Sequence, residues 1–209
     1  MPRRPTAPGL LAAAVLAPLC ASCGQVAVPV EVVTTYTISA DAVIEDMRRG
    51  MGGADVAVPA VWPSPPYPQF VKDVAFTVSS DVDLRNQDQV AGMEGRIREI
   101  RLDHVDYTLV ENTFNKAVSS LELRIGPKGG PADVPVARIA GIGAGERAAG
   151  RAALDPDGRL EAIQYLGILE FACGAAVTVP VDTTIDPVRP AGAATLRVTI
   201  GLLVIADPV

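Results

Sequence analysis

The side chains that could do chemistry are few and poorly spaced for it. The chain has one histidine, His104, and three cysteines, Cys20, Cys23 and Cys173. Nucleophilic catalysis needs a nucleophile with a base beside it, and nothing in the spacing brings His104 to Cys173. Cys173 lies in the apolar stretch 168–181, where a lone thiol behaves as a small buried hydrophobe. No Gly-x-Ser-x-Gly elbow and no His-Glu-x-x-His pair is present, so neither triad nor zinc hydrolysis is supplied. Asp81 and Asp83 stand two apart, which on a strand puts both carboxylates on one face, where they could take a cation. In a chain with 24 acidic residues a solvated face accounts for them more simply, and the same holds for Asp103 and Asp106. Asp155-Pro156-Asp157-Gly158 opens like a calcium loop but lacks the later oxygen ligands and the closing Glu; its composition is what a type I turn selects. Gly143 and Gly145 are followed by Ala148 where a dinucleotide finger places its third small residue, so a flexible loop is the better reading. The expectation is a non-catalytic protein with no cofactor.

What the chain does declare is an address. Met1-Pro2-Arg3-Arg4 is followed by an uncharged apolar run at 10–19. A membrane span needs roughly 20 apolar residues, so a basic start, a short apolar run and a small-residue exit together read as a secretory signal. Ala21-Ser22-Cys23-Gly24 then resembles the end of a bacterial lipoprotein precursor, with Cys20 departing from the aliphatic residue usual three places before the acylated cysteine. That resemblance implies that residues 1–22 are a signal peptide and that Cys23 becomes a diacylated N-terminus. Ordinary cleavage without a lipid and an uncleaved apolar anchor are the alternatives. Each buried methylene contributes about 0.8 kcal/mol, so two acyl chains would hold where one leaves reversibly. With Gly24 rather than Asp after the cysteine, the resemblance implies an exported protein at the outer membrane, on its periplasmic face or at the cell surface.

Without residues 1–22, which hold Arg3 and Arg4 and no acid, 16 basic residues face 24 acidic ones, a formal charge of −8. Nucleic acid is excluded as a partner of so acidic a surface. Residues 23–209 are of a length suited to a single domain, and Cys173, alone after the signal is removed, leaves no disulfide framework.

The elements follow from apolar periodicity. Val26, Val28, Val30, Val32, Tyr36 and Ile38 alternate as a strand. Residues 40–49 carry Val43, Ile44 and Met47 at helical spacing behind Ser39, with Arg48 and Arg49 at the end that favours cations. Val61-Trp62-Pro63-Ser64-Pro65-Pro66-Tyr67-Pro68 can be neither helix nor strand, since its prolines lack donors. Trp62 and Tyr67 on this stiff loop could form a recognition surface, or Trp62 could close one end of the core. Alternation returns at 70–84. The stretch 97–110 is strand-like, but its apolar parity flips between Leu102 and Val105, which predicts a bulge near Asp103-His104 or a change of sheet. Leu121, Leu123 and Ile125 are expected to return it as a hairpin. Strands are also expected at 134–142, at 171–181, with Pro180 marking an edge or an end, and at 196–205. In that last strand Leu203 and Ile205 suggest cover on both faces. A short helix is expected over 160–169, after a turn at Asp155-Pro156-Asp157-Gly158.

This pattern predicts a mainly β protein, an antiparallel β-sandwich of immunoglobulin-like or similar kind with one or two short helices. Two functions suit it: a lipid-anchored binding or scaffold module whose partner is an envelope protein, acting through its end loops, or a carrier of an apolar ligand between its two sheets.

Overall fold

Period-two alternation of aliphatic and polar residues can bury one face of a strand and wet the other, and most of the chain obeys it. A computed structural model describes residues 24–53, 55–62 and 69–208; residues 1–22, Cys23 and Tyr67 lie outside them. The strands are β1 (Val26–Ser39), β2 (Val71–Asp83), β3 (Ile97–Asn112), β4 (Ser120–Pro127), β5 (Val134–Ile139), β6 (Ala149–Arg151), β7 (Ala153–Leu154), β8 (Glu170–Asp182) and β9 (Ala193–Ala206). Two helices, α1 (Ala40–Met51) and α2 (Pro156–Leu166), interrupt them. Every pairing is antiparallel, in a four-stranded sheet of order β1-β9-β3-β6 and a five-stranded sheet of order β2-β8-β4-β5-β7. The protein is thus a mainly β antiparallel sandwich, as its alternation predicts.

The inner faces fill one core. From β1 come Val30, Val32, Tyr36 and Ile38; from β9 Leu196, Val198, Ile200, Leu202 and Val204; from β8 Phe171, Cys173, Ala175, Val177 and Val179. On one side the chain crosses between sheets through β6 and β7: the Ala152 amide donates to the Val105 carbonyl at 2.8 Å, and Ala153 pairs with Arg138. On the other side β1 and β2 face each other, linked by the Thr34 and Ser80 hydroxyls at 3.1 Å. At the lower end the start of β1 pairs with the end of β9 (Val26 with Ala206), and the Asp207 amide donates to the Arg96 carbonyl. At the upper end lie the β3–β4, β5–β6 and β8–β9 loops.

The parity flip in β3 is a bulge. Its register against β9 slips between Leu102 and His104, so that Ile100 and Leu102 before it and Val105 and Leu109 after it all point inward. The expected β3–β4 hairpin does not form: β3 pairs with β9 and β6, while β4 lies in the other sheet between β8 and β5. Alternation sets which residues of a strand face inward, but it carries no information on which strand lies beside it. β9 is interior, pairing on both sides, yet Leu203 and Ile205 are only half-buried, so its outward face is partly rather than wholly covered. Pro180 sits where β4 has already ended, past the Ser120–Thr178 pair, so its missing donor costs no ladder bond there.

The helices differ in how readily they could be foreseen. α1 begins and ends nearly as its pattern predicts, although the Ser39 side chain makes no capping bond. The turn expected at Asp155-Pro156-Asp157-Gly158 is instead the start of α2. The Asp155 carboxylate accepts from the amides of Asp157 and Gly158 at 3.1 and 3.0 Å, with Pro156 in the first turn. An Asp cap followed by Pro starts a helix as well as it makes a turn. Gly158 lets α2 lie directly on β5, since a Cβ there would fall 1.7 Å from the Pro135 carbonyl oxygen.

Candidate functional site

The residues whose types could do chemistry are kept apart. His104 sits at the β3 bulge on the outer side of the four-stranded sheet, its ring packed over Gly201, where a Cβ would lie 2.2 Å from it. Its Nδ1 is 2.8 Å from Asp103 and its Nε2 3.8 Å from Asp106. Arg151 in turn bonds Asp106 at 2.9 Å and holds that carboxyl below its ordinary range. Cys173 points into the core from the other sheet. Burial pushes its thiol up to about 11, the opposite of what a nucleophile needs. The Tyr36 hydroxyl beside it is buried too, and desolvation raises its pKa strongly.

Asp81 and Asp83 each have other work. Asp81 accepts from the Gly129 amide at 3.1 Å. Asp83 accepts from the Arg85 amide and from its guanidinium, each at 3.0 Å, and the side-chain bond to Arg85 lowers its pKa. Among the described residues no group of three or more His, Cys, Asp and Glu is placed to hold a metal. The glycines at 143–145 close on their own chain, the Gly143 amide donating to the Glu146 carboxylate at 2.7 Å. A cleft of about 450 Å³ runs between the lower half of β3 and α2, lined by Glu99, Arg101, Pro156, Arg159, Leu160 and Ile163. It opens outward, and Arg159 spans it to the Leu102 carbonyl at 2.7 Å.

The upper end is built differently, as a set of loops tied to one another. The Asn115 side chain donates to the Arg189 carbonyl at 3.0 Å and accepts from the Ala191 amide at 2.8 Å. Lys116, buried to 5 % exposure of its side chain, bonds Asp186 and holds that carboxyl below its ordinary range. The Trp62 amide donates to the Pro187 carbonyl at 2.7 Å and the Arg189 amide to the Ala60 carbonyl at 3.0 Å, so Val61 and Val188 form a bridge. Trp62 itself is 8 % exposed and packs in the core as a lid. Among the described residues, the apolar side chains left exposed at this end include Val61, Val188, Val71 and, at 82 %, Ile185. Sequence pattern singled out Trp62 but not Lys116, Asp186, Arg189 or Ile185, because loop residues carry no periodicity.

No family model matches this chain, and no curated protein does. Among solved structures, a chain from Desmodium yellow mottle tymovirus is 12% identical, with 75% of this chain and 93% of that one covered and a TM-score of 0.25. One from turnip yellow mosaic virus is 12% identical, covering 87% and 96%, with a TM-score of 0.19. Likeness at these scores carries no argument about fold or function.

Proposed function

We propose that this protein is a lipid-anchored binding module of the bacterial envelope, tethered through Cys23 and engaging another envelope protein through its upper loops. The observation that carries this reading is the exposure of Ile185, Val61 and Val188 on loops fixed by Asn115, Lys116 and Arg189. Apolar side chains on a braced platform lose little entropy when covered, which is how a small patch gains affinity. They also lie at the end opposite Val26, the first strand residue after the tether. A carrier would need room between the sheets, and there the inner faces form one continuous core of buried side chains, with Phe171, Leu121 and Ile125 from one sheet and Leu196 from the other, which speaks against that alternative.

In-cell crosslinking tests the reading. A photoreactive residue replacing Ile185 or Val188 should give one defined adduct, absent when it replaces Thr35 on the outer face of β1, and lost when Val61→Asp is added. Adducts of equal yield at all three positions, or none at the loop positions, would refute a recognition surface there.

A further inference from the structure

Two residues, Gly24 and Gln25, separate Cys23 from the first strand residue, Val26. Three residue steps span at most about 10 Å even when extended, and one headgroup layer is roughly 5 to 8 Å thick. If Cys23 carries acyl chains, β1 therefore begins at the membrane surface, with no linker long enough to hold the domain clear of it.

What lies at that end is suited to contact. Leu160 of α2, 71 % exposed, stands at the cleft beside Glu99, which pairs with Ile205 next to the end of β9. Ile168, 66 % exposed, precedes Leu169, whose carbonyl accepts from the Leu84 amide at the foot of the other sheet. Val26 is exposed as well. Most cations there are engaged by the protein's own acids: Arg85 and Lys128 by Glu170, and Arg98 by Asp207, to whose carboxylate Arg96 also lies near without a direct ion pair. They leave little charge to draw anionic lipid. By contrast, the outer face of the four-stranded sheet carries Glu31, Arg101, Asp103, Asp106, Arg151 and Arg197, which oppose lying flat on lipid.

We infer that the lower end of the sandwich docks on the phospholipid headgroup layer, with Val26, Leu160 and Ile168 as its apolar contacts and the strands standing upright. This rests on the lipid anchor at Cys23 proposed above. With 14 residues rising about 3.3 Å each, β1 then lifts the upper loops about 45 Å above the surface.

The test uses the full chain purified from membranes and reconstituted into phosphatidylethanolamine and phosphatidylglycerol vesicles. A fluorophore is attached through Ile168→Cys, Val33→Cys or Ile185→Cys, and quenched by lipids carrying a shallow nitroxide. Buried Cys173 stays unlabelled in the folded protein. Several-fold stronger quenching at position 168 than at 33 or 185, unchanged in about 0.5 M salt, is expected. Quenching chiefly at position 33 would mean that the domain lies on its sheet and would overturn the proposal, as would quenching that salt abolishes. No quenching at any position, in protein whose intact mass includes the acyl chains, overturns docking and leaves the anchor standing. An unmodified mass overturns the anchor first and docking with it.

Discussion

β9 and β8 each run through the centre of a sheet and pair on both sides, yet their side chains could hardly differ more. β9 alternates: Leu196, Val198, Ile200 and Leu202 point inward, while Thr195, Arg197 and Thr199 stay toward water or half-covered. In β8 the run Phe171-Ala172-Cys173-Gly174-Ala175 is buried without a break. The cause lies outside the sheet, where the β4–β5 turn folds back over it. A Cβ on Gly174 would stand 3.0 Å from the Ala132 side chain and 3.2 Å from the Val78 carbonyl. Large aliphatics in strict alternation mark a strand covered on one face; a run of small residues marks one on which a second layer lies close.

The largest effect separating the two strands concerns β9, which carries a larger share of the four-stranded sheet's inner face than β1 or β3. Ending the chain at Ala194 removes the strand between β1 and β3, and we expect no cooperative thermal transition to remain. Leu196→Ala alone should cost about 2 to 5 kcal/mol in urea unfolding, a large share of a typical domain stability of about 5 to 15 kcal/mol. Cys173→Ala in β8 removes a single sulfur and should cost less. If the truncated chain melts within a few degrees of the full one, β9 is peripheral and the comparison fails.

A second difference is chemical. β9 has no ionisable group facing inward, whereas β8 places Cys173 against Tyr36, and burial raises the pKa of both. The thiol moves from its ordinary 9.0 to about 11, so the folded state holds its proton where the unfolded chain has lost it. The stabilisation is fully present below about pH 9 and is lost as pH rises through about 11, by about 3 kcal/mol in all. Urea midpoints measured between pH 8 and 11 should fall along that course. Cys173→Ala should flatten the fall without abolishing it, since Tyr36 still titrates. An unchanged slope in that variant would mean that the thiol is not held neutral by burial.

The same contrast explains what was legible in the sequence. β1, β3 and β9 show their inward residues by parity, and even the bulge at Asp103-His104 is visible because Val105 falls out of step with Leu102. The start of α2 was hidden because Asp155-Pro156 suits a turn and a helix alike. Strand partners were hidden because pairing is settled by whole-chain topology, as the failed β3–β4 hairpin shows. At the upper end Lys116 meets Asp186 across 70 residues of chain and the Arg189 amide reaches the Ala60 carbonyl, and no local pattern records such meetings. Trp62 was legible as a large aromatic that should bury its area, which it does.

The smallest effect expected is also the finest test of the contrast, because each central strand contains one glycine in its interior. At Gly174 the neighbours that an added Cβ would meet are the Ala132 methyl and the Val78 carbonyl, neither of which can rotate away. At Gly201 the neighbour is the His104 ring, a side chain on the outer surface that can swing off its Asp103 partner. Gly174→Ala should therefore destabilise by about 1 to 3 kcal/mol, the usual cost of overpacking. Gly201→Ala should cost less, since the strand gains a residue better suited to it than glycine while one exposed contact is lost. The histidine reports the second event directly: in Gly201→Ala its ring resonances should shift in NMR spectra, and in Gly174→Ala they should not. Equal losses in the two variants, with His104 undisturbed in both, would mean that the two strands are covered alike and that the run of small residues in β8 has some other cause.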